Sequence, residues 1–179
     1  NLFRTRKQLE SDGWALRGNI FERGGERFLP LYEAKMMHQY DHRWATYEGL
    51  DARDVLAEEK ADPSFVAMPR YWVPKADVDD RLKGRWSRDW LLGWRDITNT
   101  TNERTVIASV VPRVGCGDTL LLAFASGSEL CGPDVLHAVL NSFACDYAAR
   151  QKVGGTHLKF HVFKQLAILT PEQCASAPI

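Results

Sequence analysis

Neither sign of charge is in excess in this chain of 179 residues, where 23 Lys and Arg stand against 23 Asp and Glu. No bulk field therefore draws it toward nucleic acid or an anionic membrane, and such a partner has to be met by a local patch. No apolar run approaches the roughly 20 residues that a membrane-spanning helix needs. With no charged-then-apolar leader in view, the sequence predicts a soluble, cytoplasmic protein without an export signal. Cysteine is sparse as well: Cys116, Cys131, Cys145 and Cys174 are too far apart for the C-x-x-C pairs of zinc knuckles and redox sites. Reduced thiols in a reducing compartment are expected, with Cys145 as a small core residue. The phosphate-loop, dinucleotide and nucleophile-elbow motifs are all missing, which leaves no basis for a catalytic centre.

What is present is an ordinary globular composition, 45% hydrophobic and 26% charged, in a length that suits one domain. Segments rich in β-branched and aromatic residues at 19–23 and 27–33, separated by Gly24 and Gly25, predict a hairpin. Pro69 and Pro74 bracket an edge strand at 70–73, because proline cannot donate to a ladder. Short helices are expected near 51–60, where a loop fits equally well, and at 77–83. Three strands follow at 90–97, 105–112 and 119–125. A long helix is predicted over 133–150, with Pro133 at its first position, Asp134 at the positive end of its dipole and an apolar face of Val135, Leu136, Val139, Leu140, Phe143 and Tyr147. A last strand over 160–169 should end at Pro171. Strands and helices mixed without strict alternation predict an α+β fold with a mainly antiparallel sheet and a prominent helix in the C-terminal half.

Charge is distributed unevenly along the chain. Acids outnumber bases eight to four over 51–80, bases lead seven to three over 81–113, and 150–164 holds four bases and no acid. That last stretch sets Lys152, Gly154, Gly155, Thr156, His157 and Lys159 in a loop after a helix, where backbone amides can approach a phosphate; a cation-rich helix end with a glycine cap reads the same way. In 35–44, Lys-Met-Met-His-Gln-Tyr-Asp-His-Arg-Trp, bases interleave with aromatics and with residue types that can read base edges. His38 and His42 also have the i, i+4 spacing of metal ligands, with Asp41 beside them, which defines an alternative: a small metal-dependent hydrolase or nuclease. A third cluster, 95–105, Arg-Asp-Ile-Thr-Asn-Thr-Thr-Asn-Glu-Arg-Thr, joins two predicted strands. Finally, four of the six tryptophans fall within 72–94, either as core or as an exposed protein-docking patch.

Three blocks, in order, carry a resemblance. They are 29–47, Leu-Pro-Leu-Tyr-Glu-Ala-Lys-Met-Met-His-Gln-Tyr-Asp-His-Arg-Trp-Ala-Thr-Tyr; then 95–112, which opens with the third cluster and runs on through Val-Ile-Ala-Ser-Val-Val-Pro; and then 140–158, from Leu-Asn-Ser-Phe to Val-Gly-Gly-Thr-His-Leu. Together they resemble the C-terminal target-recognition region of large bacterial N6-adenine DNA methyltransferases, including type IIG restriction-modification enzymes and related phage-defence methylases. The last block is also similar to the recognition domains of type I specificity subunits. The resemblance implies a lead-in over 1–28, a target-recognition domain over 29–171 and a tail over 172–179. It further implies a double-stranded DNA partner, and S-adenosylmethionine held in an upstream methyltransferase domain of the same polypeptide. Asn at position 1 fits a piece of something longer.

The tetrapeptide Asp62-Pro63-Ser64-Phe65 resembles, at three of four places, the one with which amino-methyltransferases hold a target base. No Gly-rich methyl-donor loop precedes it, so it reads as a turn and no catalytic residue is assigned. The DNA contacts implied are Lys35, His38, Gln39, Asp41, His42 and Arg43 in the first block. Asn102, Glu103, Arg104 and Thr105 are implied in the second, and Lys152, Gly154, Gly155, Thr156, His157 and Lys159 in the third. For sequence specificity the candidates are Arg81, Lys83, Arg85 and Arg88, in the stretch between the first two blocks.

Overall fold

The computed structural model describes residues 2–124, 132–170, 172, 173 and 176. A short helix, α1 (Arg6–Ser11), is started by Thr5, whose hydroxyl accepts from the Gln8 amide while the Gln8 side chain accepts from the Thr5 amide. Strands β1 (Ala15–Arg17), β2 (Ile20–Arg23) and β3 (Glu26–Tyr32) form an antiparallel meander. Gly24 and Gly25 turn the predicted hairpin between β2 and β3 with φ of 57° and 86°, values that favour glycine. After a 3₁₀ turn at Ala34–Met36, β4 (Ala45–Glu48) and β5 (Asp51–Asp54) make a separate hairpin, followed by α2 (Ala57–Ala61). Thus 51–60 is half strand and half helix.

The predicted edge strand is β6 (Trp72–Pro74), paired antiparallel with β3; it leads into α3 (Lys75–Leu82). Next come β7 (Trp90–Arg95), β8 (Ala108–Pro112), β9 (Gly115–Cys116) and β10 (Leu120–Ala123). Strands β10, β7 and β8 form a three-stranded antiparallel sheet in that order, while β9 crosses back to pair in parallel with the end of β3. The fold is α+β and mainly antiparallel.

The three-stranded sheet is covered on both faces. Leu91, Val111 and Leu120 point into a core shared with Leu29, Leu31, Met36, Val78 and Trp86. Trp94, Ala108 and the half-buried Leu121 and Ala123 point the other way, against Leu140, Cys145, Ala149, Leu158, Val162 and Leu166. Burial on both sides explains why these strands read as continuous apolar runs rather than alternating ones. A smaller cluster of Leu9, Trp14, Phe21 and Trp72 fastens the N-terminal segment to the first sheet. Of the four tryptophans within 72–94, Trp72, Trp86 and Trp94 are interior and Trp90 is half-buried against the same core as Trp86, which corrects the idea of a tryptophan docking patch.

Two elements differ from expectation. The long helix is two, α4 (Pro133–Leu140) and α5 (Phe143–Lys152), because Ser142 caps α5 by accepting from the Cys145 amide at 3.2 Å and Asn141 donates to the Ala108 and His137 carbonyls at 3.1 and 3.0 Å. The break shifts the helical phase, so Phe143 and Tyr147 stand 84% and 68% exposed instead of continuing the apolar face. The last predicted strand is instead a short helix, α6 (Phe160–Phe163), with irregular chain after it. Its phase lets Phe163 stack on Trp94, with 3.9 Å between ring centroids. Cys116 and Cys145 carry free thiols, whereas Cys131, Cys174, position 125 of the third strand and Pro171 lie outside the described residues.

Candidate nucleic-acid interface

The three blocks meet along one stretch of chain, 95–106, which leaves the end of β7 and returns to β8. Toward the first block, Arg95 Nε donates to the Met37 carbonyl at 2.8 Å and Gln39 Nε2 donates to the Val106 carbonyl at 3.3 Å. Toward the third block two buried carboxylates organise the contact. Asp146, 4% exposed, accepts from the amides of Thr105 and Val106 at 2.7 and 2.8 Å and from Arg150 Nε at 3.0 Å. Arg150 then donates to the Thr100, Asn102 and Glu103 carbonyls and so gathers the loop. Asp96, 1% exposed, holds His157 Nδ1 at 3.2 Å and the Lys159 ammonium on the same Oδ2. The Thr98 amide donates to the Thr156 carbonyl at 3.0 Å, completing the seam.

Within this arrangement the sequence candidates divide. Lys35, Asn102, Glu103, Lys152, Gly154, Gly155, Thr156, His157 and Lys159 are exposed. Neither Gly154 nor Gly155 has an atom within 4 Å of where a Cβ would stand, and neither adopts the left-handed conformation, so they leave open space rather than forming a cap. Other candidates are committed to the fold. Arg43 donates to the carbonyls of Lys60, Asp62 and Phe65 at 2.9, 3.2 and 3.2 Å, and thereby fixes the loop that includes the tetrapeptide. Arg104 is buried, with its guanidinium donating to the Asn141 carbonyl and lying 4.4 Å from the Phe143 ring centroid; Thr105 is fully enclosed.

Arg81, Lys83, Arg85 and Arg88 lie at the other end of β7 from the 95–106 stretch. They precede β7, whereas the seam follows it, and the six residues of that strand span about 20 Å at roughly 3.3 Å each.

Two of the three residues of the His38, Asp41 and His42 group make structural contacts. His38 and Asp41 close a tight turn through mutual backbone bonds, and the His38 ring lies 4.3 Å from that of Trp44. Asp41 is half-buried, which disfavours its charge, yet the Lys60 ammonium at 2.7 Å and the Arg43 amide outweigh that and lower its pKa. Among the described residues no three His, Cys, Asp or Glu side chains gather as a metal site. Burial, reinforced by Arg95 at His38 and by Arg43 at His42, lowers both imidazole pKa values below the ordinary 6.5; burial also lowers that of His137.

The unfolded chain therefore binds more protons than the folded one as pH falls, and stability present above about pH 6.5 is lost below it. Urea midpoints should decrease steadily from about pH 7 to about pH 5, and a His38→Gln/His42→Gln/His137→Gln variant should show a flatter profile.

Sequence reasoning missed three exposed aromatics beside this seam. Tyr40, 65% exposed, sits at the tip of the His38–Asp41 turn with φ of 58° and its ring 5.0 Å from His137; Phe143 and Tyr147 share one side of α5. The two organising acids were missed too, although each is an acid set among apolar or basic neighbours, Asp96 beside Arg95 and Asp146 within an apolar helical pattern. No helix among the described residues is long and apolar enough to cross a membrane. Comparison with protein-family models, with curated proteins and with solved structures finds no match.

Proposed function

We propose that this chain is a double-stranded DNA recognition module of a larger adenine-N6 DNA methyltransferase of the restriction-modification or phage-defence kind. The supporting observation is the convergence of 35–43, 95–105 and 152–159, far apart in sequence, on a single seam whose outer residues are polar, cationic and unobstructed. Lys152 and Lys159 supply positive charge for phosphates, while Asn102, Glu103, Thr156 and His157 bring groups able to pair with base edges. Asp96 holds His157 through Nδ1 and so restrains the half-exposed imidazole for a base or phosphate contact. In this reading S-adenosylmethionine and the methyl transfer belong to a methyltransferase domain elsewhere in the polypeptide, which works in the cytoplasm and extrudes the target adenine.

The test is duplex binding across salt concentration. With about four phosphates engaged at the seam, affinity should fall by at least on the order of 100-fold between 50 and 200 mM salt. A randomised duplex library should yield an enriched sequence, and Lys152→Gln with His157→Gln should weaken that enrichment. Salt-independent binding, or no enrichment, refutes the reading.

A further inference from the structure

The connection between α3 and β7 holds a second cationic site, built differently from the seam. Arg81, Lys83, Arg85 and Arg88 fall within eight residues, are all exposed, and take part in no ion pair among the described residues. Their neighbours Lys75 and Arg113 are both paired with Asp79. The acids flanking the stretch are Asp80 and Asp89.

The connection is held rigidly. Gly84, at φ of 70°, turns the chain out of α3, and the Arg85 and Trp86 amides donate to the Leu82 carbonyl at 2.9 and 3.0 Å. Arg113 donates to the carbonyls of Trp86 and Arg88 at 3.2 and 3.3 Å from one side, and its own amide donates to the Asp89 carbonyl at 2.9 Å. The buried Trp86 indole donates to the Trp90 carbonyl. Over these two indoles lies the Arg88 guanidinium, 5.7 and 5.2 Å from the ring centroids. Gly84, Arg85, Trp86, Ser87 and Arg88 line a surface cleft of about 400 Å³.

Three of the four cations are guanidinium groups, whose planar forks match the oxygens of a phosphate diester. Stacking on the indoles restrains Arg88 and reduces the ordering cost of binding. The patch presents long cations and one serine hydroxyl, with no Asn or Gln to discriminate bases. The length of β7 between this connection and the 95–106 stretch, about 20 Å, corresponds to roughly six base pairs along a duplex.

We propose that the α3–β7 connection is a second nucleic-acid contact, an anchor that grips backbone phosphates without reading sequence. It rests on the DNA reading of the seam but is separable from it by experiment. The sequence pattern made these four cations candidates for specificity, and their placement gives them this other task.

The test compares the wild-type chain with two variants on a random-sequence 30-base-pair duplex and on a duplex enriched from a library. One variant is Arg81→Gln/Lys83→Gln/Arg85→Gln/Arg88→Gln; the other is Lys152→Gln/His157→Gln on the seam. The first should reduce the slope of log affinity against log salt by about three to four while leaving the ratio between the two duplexes unchanged. The seam variant should lower that ratio. Circular dichroism melts establish that both fold, and Arg88→Lys, which keeps the charge, should retain more of the slope than Arg88→Gln. A wild-type slope in the fourfold variant overturns the anchor and leaves the seam reading standing. Loss of slope there with no effect of the seam variant keeps the anchor and overturns the seam reading. A wild-type chain that binds neither duplex overturns both.

Discussion

Replacing Asp146 by alanine should cost about 3–5 kcal/mol of stability, the range for breaking a buried charged pair by removing one partner. Its carboxylate is nearly enclosed and satisfies three donors, the amides of Thr105 and Val106 and the Arg150 guanidinium. Thr105 and Val106 are fully buried, so their N–H groups would lose their partner where water cannot replace it, at about 1–3 kcal/mol each. Arg150 would also lose the anchor from which it reaches the Thr100, Asn102 and Glu103 carbonyls. Urea denaturation should show a large fall in midpoint. Asp146→Asn, which can keep one acceptor oxygen, should lose less. A midpoint within experimental error of wild type for the alanine variant would mean that Asp146 does not organise the seam.

The second large effect is expected at Trp94, where alanine should cost about 3–5 kcal/mol. The ring is 1% exposed, stacked on Phe163 and met edge-on by Phe160 at 5.2 Å, and its indole nitrogen donates to the Leu158 carbonyl at 2.9 Å. Removing it opens a void against α6 and leaves that carbonyl without its buried donor. Trp94→Phe, which keeps most of the ring contact and loses the hydrogen bond, should fall between the two. Measured by guanidinium denaturation, equal losses for the phenylalanine and alanine variants would assign the effect to the hydrogen bond instead of the packing.

The local pattern of the chain revealed much of the fold and part of the candidate interface. The β2–β3 hairpin was legible from its paired glycines, β6 from its bracketing prolines, and β7, β8 and β10 from apolar runs of strand length. The division of 133–150 was not, because Asn141 and Ser142 interrupt an otherwise regular apolar period. The significance of Asn141 lies in the Ala108 carbonyl that it binds, 33 residues back in the chain, while Ser142 starts the second helix. Helix α6 was concealed by composition: Phe160, Val162 and Phe163 suggest a strand, while Leu158, Val162 and Leu166, buried at every fourth position, keep a helical period.

At the seam, sequence identified the cationic loops but could not separate Lys152, left in solvent, from Arg43 and Arg104, which are drawn inward by carbonyls supplied from elsewhere in the chain. A base is indistinguishable from a structural donor until its acceptors are in place.

The sheet of β10, β7 and β8, walled by apolar side chains on both faces, also constrains how this protein can diversify. A substitution on those strands disturbs one core or the other, so inherited variation that survives selection is channelled to the rims. There the exposed parts of the connectors at the two ends of β7 can change without disturbing either core.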